Sequence, residues 1–503
     1  MINTMSLLLL VLSFSIIFLF NLFKPKNPKK TAPLPPGPKG LPLIGNLHEF
    51  DTPHPHLYLH ELAKKYGPLM SMRFGFRPTI VISSARVAKI ALKNNDLALA
   101  GRPPLIGLKT YSYNGHDIAF SNYSESWREM RRLGVIHLFS VKQVLSFLPI
   151  RKDKVSLMIK DMIKKSHSSE VINLSQAAYF LTNRIVCRAA FGKEYDELGK
   201  RKFSEVFKEA QELSIAFSFG DFFPLLGWID KLTGMISRLD KNLRDLDKFF
   251  QELIEDHLDP NRPEAMKGDI LDLMIKLKQD RAAAIPIEWE NIKGILMNVF
   301  GGTDTSASLI VWAMTTLIKK PQAMKKAQEE VRNVVGAKGT VDEEDIQNLP
   351  YLKAIIKETL RLFPPIPLSV PRESLEKFTI DGYEIPAKTM VYVNFHAIGL
   401  DPEYWENSTE FIPDRFLNST IDYKGHDFGL LPFGSGRRGC PGMNFGIASV
   451  ELALANLLYS FDWELPHGMK EEDIDMELFP GLTTSKKNDL CLVGKCYEYN
   501  KIN

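Results

Sequence analysis

The sequence predicts a mainly α-helical protein with a small β-region, a single large domain behind an N-terminal transmembrane helix. Three observations predict it. An apolar run, Met5 to Phe23, opens the chain. Helical periodicity dominates the rest, above all residues 143–277 and 287–319. Near the N-terminus, Leu69 to Ser83 alternates as paired strands do.

The 503 residues would hold two or three average domains, and large single units also reach this size. Net charge is +3, but Lys24, Lys26, Lys29, Lys30 and Lys39 precede the first acidic residue, Glu49, so the body is close to neutral. That balance excludes a nucleic-acid footprint, which needs clustered basic charge. Cys187, Cys440, Cys491 and Cys496 form no CxxC and no zinc spacing. So few cysteines in so long a chain suit a reducing compartment, as buried thiols rather than a disulfide framework.

Nineteen residues from Met5 to Phe23 would rise about 28 Å as a helix, close to the hydrocarbon thickness of a bilayer. No basic residue precedes the run and no small-x-small cleavage site follows it, so residues 1–23 read as a retained anchor. The lysines that follow place the body in the cytosol. Residues 24–45 read as a basic, proline-rich hinge, with Pro33, Pro35, Pro36 and Pro38 favouring a semi-rigid spacer. Residues 46–503 form the main domain. His54, His56 and His60 do not complete an HExxH pattern and read as surface histidines, with Pro55 interrupting any helix. Leu69–Phe74, a turn at Gly75 and Thr79–Ser83 read as strands. Trp127–Arg132 lies on a helix, where Trp127 and Arg131 are i,i+4 neighbours that could share a carboxylate. The aromatic segment Ala216–Trp228 reads as core or as an exposed apolar surface.

Residues 287–319 predict a helix about 50 Å long through the core, between Pro286 and Pro321. Gly301-Gly302-Thr303-Asp304-Thr305-Ser306 at its middle is costly in a buried helix. A helix crossing, a kink or a functional groove would each account for it. Glu358 and Arg361 share one face of an amphipathic helix ended by Pro364-Pro365, a weak signal alone. Pro413-Asp414-Arg415-Phe416 follows. Pro367–Arg372 reads as extended, Phe445–Leu458 as a small-residue helix and Gly481–Thr484 as a turn. The sequons at Asn122, Asn173, Asn407 and Asn418 are irrelevant to a cytosolic domain.

The most specific stretch is Phe433-Gly434-Ser435-Gly436-Arg437-Arg438-Gly439-Cys440-Pro441-Gly442. Its glycines let the backbone approach a flat ligand and aim N–H groups at the Cys440 sulfur. Nearby arginines and the helix N-terminus favour a thiolate, the ligation that promotes O–O cleavage on haem iron. The bland alternative is a glycine-rich turn around a structural cysteine.

This stretch resembles the haem-binding signature of the cytochrome P450 family. The Gly301–Thr305 segment, the Glu358-x-x-Arg361 pair and Trp127-x-x-x-Arg131 resemble its other motifs, in order, and the likeness runs from the proline-rich segment onward. The resemblance implies the cytochrome P450 fold and a haem b cofactor, with Cys440 as axial iron ligand and Phe433 beside the sulfur. It implies propionate contacts from Trp127, Arg131, Arg372 and Arg438, and dioxygen handling by Asp304 and Thr305. Glu358, Arg361 and Arg415 would form a structural triad, with Asp414 where the family usually has Glu. Tyr111, Tyr113, Phe120, Phe217, Gly301, Leu368, Val370 and Leu482 would line a substrate pocket, and the segment around Phe217 would meet membrane or substrate. Arg128, Arg132 and Arg437 would face an acidic redox partner.

Within the family the chain is similar to the plant microsomal specialised-metabolism clan. It is expected to be single-pass in the endoplasmic reticulum membrane, in contact with lipid, with its catalytic domain facing the cytosol. Electrons would come from NADPH through cytochrome P450 reductase, and one oxygen atom of O2 would enter a small hydrophobic substrate. A coumarin or other phenylpropanoid suits the apolar pocket residues, with an amino-acid-derived aldoxime, a terpenoid or an alkaloid as alternatives. A membrane haem-binding sensor would not need Asp304 and Thr305, and a rearranging enzyme would not need the oxygen groove.

Overall fold

The computed structural model describes residues 33–50, 53–193, 197–263, 268–281 and 283–498. The expected anchor, residues 1–23, and residues 24–32 of the expected hinge lie outside them. Among the described residues no helix is long and apolar enough to cross a membrane.

The longer helices are α1 (Pro55–Tyr66), α2 (Glu125–Leu133), α3 (Leu148–His167), α4 (Leu174–Phe191), α5 (Glu197–Ser214), α6 (Met235–Leu258), α7 (Ile270–Gln279), α8 (Trp289–Ile318), α9 (Pro321–Val335), α10 (Pro350–Leu362) and α11 (Met443–Ser460). The strands used below are β1 (Leu69–Phe74), β2 (Arg77–Ile82), β3 (Ile172–Asn173), β4 (Arg372–Glu373), β5 (Met390–Val393), β6 (Phe461–Glu464) and β7 (Cys491–Cys496). β1 and β2 pair antiparallel, Leu69 opposite Ile82, around Gly75 at φ 56°. The order β1-β2-β5-β4 completes the sheet, with β5 parallel to β2. A parallel pair needs a long crossover, and here most of the helices lie between the two strands. β7 pairs with both β3 and β6, which brings the C-terminal strand back to the helical layer.

α8 is the axis of the large core cluster, packed against α4, α10 and α11. The Asn291 side chain accepts the Glu288 N–H at 2.9 Å, which fixes where α8 begins. Near its end the Trp312 indole is fully buried and stacks on Phe363, centroids 4.5 Å apart. Pro321 opens α9 as well as following α8, because its missing N–H is no loss in a first turn.

Burial turns Glu358-x-x-Arg361 from a weak surface pattern into a fixed node. Both side chains are sealed from solvent. Arg361 donates to both carboxylate oxygens of Glu358 at 2.7 Å and to the carbonyls of Gly399, Ser408 and Glu410. Glu358 also accepts from Ile412 N at 2.8 Å and Arg415 Nε at 3.1 Å. The carboxylate therefore ties α10 to residues 412–415, and Arg361 extends the node to Gly399, Ser408 and Glu410. Asp414 takes no part in this node and pairs at the surface with Lys326.

Three expectations change, and one open reading is resolved. Pro55 starts α1 instead of interrupting a helix. His56 is buried, its ring 5.2 Å from that of His396, which also lies 5.8 Å from His60. Burial first, then the neighbouring imidazoles, lowers the pKa of His56 to about 3. The Ala216–Trp228 segment, open between two readings from sequence, is mixed: Phe217 is 50% exposed, Trp228 57% and Leu225 67%, while Phe223 is buried. In the stretch expected to be extended, only Arg372 joins a strand, because Ser369 turns the chain at φ 55°.

Glu358→Ala leaves two buried cations without their carboxylate, a loss of about 3–5 kcal/mol. A large fall in the denaturation midpoint is expected, while Lys326→Ala at the exposed pair leaves the midpoint nearly unchanged. Equal midpoints in the two variants would contradict the node.

Candidate active site around Cys440

A cavity of about 320 Å³ lies between the middle of α8, the start of α11 and the loop before α11. That loop turns at Gly434 (φ 71°) and Gly436 (φ 65°). A Cβ at Gly436 would meet the Asp96 carboxylate at 2.4 Å, so only glycine fits that close approach. Asp96 binds Arg437 through both the backbone N–H (3.2 Å) and Nη1 (2.7 Å). Phe433 O accepts from Cys440 N at 2.8 Å, closing the turn, and Arg131 donates to Gly439 O.

Cys440 presents its accessible surface to the cavity and is enclosed by protein behind. Burial raises its thiol pKa. The Gly442 N–H, the Arg131 guanidinium and the Met443 N–H pull it back. The donors act in the direction expected from sequence, toward the thiolate, and burial opposes them. A metal cation at the sulfur would tip the balance, since a coordinating thiol is deprotonated outright.

Beside the loop, four arginines gather. Arg102, Arg372 and Arg438 are buried and line the cavity, and Arg131 is half-buried behind them. Burial lowers Arg372 to about 10. Burial first, then repulsion from Arg372, lowers Arg438 to about 9. Arg102 is lowered well below its usual value by burial, then by Arg438 and Arg372. Asp96 and Asp117 are the carboxylates that oppose these shifts. Arg438 lies over the Trp127 ring at 3.9 Å, and its Nη1 is buried with no hydrogen-bond partner. Such a cluster calls for an anionic ligand. Thiol, cavity and cations together fit a metal-bearing group with acidic substituents.

α8 meets the cavity through Gly301, Gly302, Thr305 and Ser306. A Cβ built at Gly301 or Gly302 meets nothing within 4 Å, so this face is a groove. Thr305 Oγ1 donates to Gly301 O at 3.2 Å. Asp304 is not on the cavity wall; it points to α5 and accepts from Gln211 Nε2. Burial raises its carboxyl pKa, opposed first by Gln211 and then by Lys208.

Most of the residues expected from sequence converge here: Cys440, Phe433, Arg438, Arg372, Thr305, Gly301, Tyr111, Phe120, Val370 and Leu482 all line the cavity. Others do not. Leu368 packs in a separate apolar cluster with Phe222 and Tyr392, on the far side of the Ser369 turn. Phe217 stacks on Phe222 at the outer surface, and Tyr113 is buried away from the wall. The Trp127 indole N–H is taken by Ile118 O at 2.9 Å, so Trp127 and Arg131 do not converge on one acceptor. The expected positive face is partly neutralised, because Arg132 pairs with Glu129 and Arg437 with Asp96.

Sequence reasoning missed Arg102, Asp117, Gln211 and Asn298. Arg102 carries a faint signal, an arginine framed by Gly101 and Pro103-Pro104 with no adjacent acid. The others carry none, since their partners are distant in sequence.

Fold and site thus define a protein built to hold a metal-centred, anionic, flat group on one cysteine. The sequence profile described as Cytochrome P450 matches residues 35–492, and the chain belongs to the cytochrome P450 family. It is 46% identical, over 98% of its length and 99% of the relative's, to 6,7,8-trihydroxycoumarin synthase of Pastinaca sativa. It is also 46% identical to strychnine-11-hydroxylase of Strychnos nux-vomica, over 97% of each chain. A solved zebra fish cytochrome P450 with progesterone superposes with a TM-score of 0.75 at 23% identity, covering 88% of this chain and 99% of that one, which shows the fold. Family membership makes the protein an O2-dependent monooxygenase that uses thiolate-ligated haem and electrons supplied by a reductase.

Arg438→Met removes one of the mutually repelling cations. The apoprotein is therefore expected to melt no lower than wild type, while the haem-to-protein ratio of the purified protein falls. A full haem complement together with a less stable apoprotein would show that Arg438 serves packing instead.

Proposed function

We propose that this protein hydroxylates a neutral, flat, aromatic plant metabolite, a coumarin or related phenylpropanoid. The carrying observation is the wall of the cavity. Its only charged side chains are the three arginines beside the Cys440 loop. Much of the remainder is apolar, including Phe120, Phe139, Phe207, Val299, Leu309, Val370 and Leu482, with Ser214, Ser369, Thr483, Gln211 and Asn298 among the uncharged polar points. Such a lining favours an uncharged aromatic guest oriented by one or two hydrogen bonds. 5-OH-xanthotoxin synthase of Pastinaca sativa, 46% identical, and xanthotoxol synthase, 44% identical, support the same reading. The strychnine relative favours an alkaloid as the second reading. Against it, the wall offers no carboxylate to a protonated amine.

In this reading Cys440 would ligate the iron of haem b, and Arg372 and Arg438 on the cavity wall, with Arg131 close by, would hold its propionates. The bound haem supplies dioxygen activation. The protein's own groups place and protonate: the Gly442 and Met443 N–H groups orient the sulfur, and Gly301 and Gly302 leave room beside α8. The Thr305 hydroxyl, tethered to Gly301 O, presents an oxygen to the groove. Asp304 precedes Thr305 on α8 with its carboxyl on Gln211 Nε2, and would serve as the group from which protons reach the Thr305 hydroxyl. Overall, substrate C–H, O2, two electrons and two protons give substrate C–OH and water. The Glu358–Arg361–Arg415 node keeps the loop before α11 in place.

Residues 1–23 anchor the chain in the endoplasmic reticulum membrane, residues 24–45 are the hinge, and 46–503 are the catalytic domain in the cytosol. The exposed Phe217, Leu225 and Trp228 face lipid. NADPH–cytochrome P450 reductase docks on the face that carries Arg128.

Titrating coumarins into the haem-loaded protein should move the Soret band to its high-spin position with saturation, and hydroxylated product should form with reductase and NADPH. A saturating shift with alkaloids or aldoximes, and silence with coumarins, would overturn the assignment.

A further inference from the structure

Residues 117–121 cross from α8 to the arginine cluster, held by hydrogen bonds within the loop and to Asn298, Arg102, Arg438 and Trp127. Its N–H groups turn one way. Asn298 Oδ1, on α8, accepts from Ile118 N at 2.9 Å and Ala119 N at 3.2 Å. Asp117 accepts from the N–H groups of Phe120 (3.0 Å) and Ser121 (2.7 Å) and from Ser121 Oγ (2.6 Å). Asn298 Nδ2 in turn donates to Asp117 Oδ2 at 2.9 Å, which joins the two receivers. The carbonyls turn the other way. Ile118 O accepts from Trp127, Ala119 O from Arg102 Nε at 2.9 Å, and Ser121 O from Arg438 Nη2 at 2.8 Å.

The consequence lies in what the loop carries. Ile118, Ala119 and Phe120 form cavity wall, and Asn298 lies on the same wall, so hydrogen exchange in the loop, more than guest affinity, reports its clamping role. Asp117 is buried and opposes the pKa depression of Arg102 and Arg438. A Cβ at Gly294, one turn before Asn298 on α8, would lie 3.1 Å from the Asp117 Cβ, so the loop is seated directly on the helix. An unclamped loop of five residues would sample many conformers. Here a carboxylate and an amide bind consecutive N–H groups, as a cap does for a helix start.

We propose that Asp117 and Asn298 are a positioning pair for substrate selection: they fix the 118–120 wall relative to α8 and, through the same loop, to Arg102 and Arg438. Neither residue takes part in the reaction. The pair sets where a guest rests against α8, and it ties guest binding to the geometry of the arginine cluster. The assignment does not depend on which aromatic metabolite is the guest.

The test is Asn298→Ala in the full-length, haem-loaded protein, read two ways. Amide hydrogen exchange should rise about tenfold or more at residues 118–121 and stay unchanged in α10 and α11. Affinity for 4-phenylimidazole, a cavity probe unrelated to coumarins, should fall about tenfold on the same grounds. Unchanged exchange at 118–121, or a rise spread over the whole chain, overturns the proposal. Should Asn298→Ala fail to retain haem, Asn298→Asp keeps the shape and sets a carboxylate against Asp117 in a setting that includes Arg102 and Arg438. The two carboxyls then bind best with one shared proton. The ratio of variant to wild-type probe affinity then rises toward acid pH and falls as pH rises, because the probe's own imidazole titration cancels in the ratio. A variant that matches wild type at every pH contradicts the pair.

Discussion

Four guanidinium groups drawn together beside an apolar cavity are the constraint on which the rest of the site depends. Arg102, Arg372 and Arg438 are buried, with Arg131 close by, and only Asp96 and Asp117 offset them. The protein tolerates the arrangement by surrounding the cations with dipoles. Carbonyls of Leu99, Ala100, Ala119, Ser121, Val370, Pro371 and Ser435 accept from them. Those contacts fix the geometry of each guanidinium but leave the net charge uncompensated. An anionic ligand completes the balance, and the haem of this family, with its two carboxylates, is one.

The sulfur has the complementary problem. Burial raises the Cys440 pKa, and two backbone N–H groups and Arg131 only partly reverse that. A metal cation is what makes the thiolate favourable. Cofactor binding therefore satisfies an excess of positive charge on one wall and a reluctant anion on the other. The Glu358–Arg361–Arg415 node stands behind this and holds the chain that leads to the cysteine loop. It contributes no chemistry, and its burial explains how one carboxylate and its arginine partner can fix several chain segments.

Much of this was legible in the chain. The cysteine loop, the glycine–acid–hydroxyl interruption of α8 and the ExxR helix are local patterns, and each was readable because its residues are neighbours in sequence. The long-range partners were not. Asn298 and Asp117, or Gln211 and Asp304, meet only once the helices pack, and no spacing announces them. Trp127 shows a subtler limit. Its helix face was read correctly, but its N–H goes to Ile118 O because the 117–121 loop folds under it. The aromatic segment near Phe217 carried no periodicity to decide between core and surface, and Leu368 was misplaced because Ser369 adopts a left-handed turn that composition does not encode.

The central claim is that Cys440, as a thiolate, holds the haem that the arginine cluster balances. The most direct measurement is the carbon monoxide difference spectrum of the reduced protein, compared with Cys440→Ser and Cys440→His. Wild type should show the red-shifted band of thiolate ligation, and both variants should lose it while the protein remains folded. The same red-shifted band in either variant would mean that another residue holds the iron, and the account would fail.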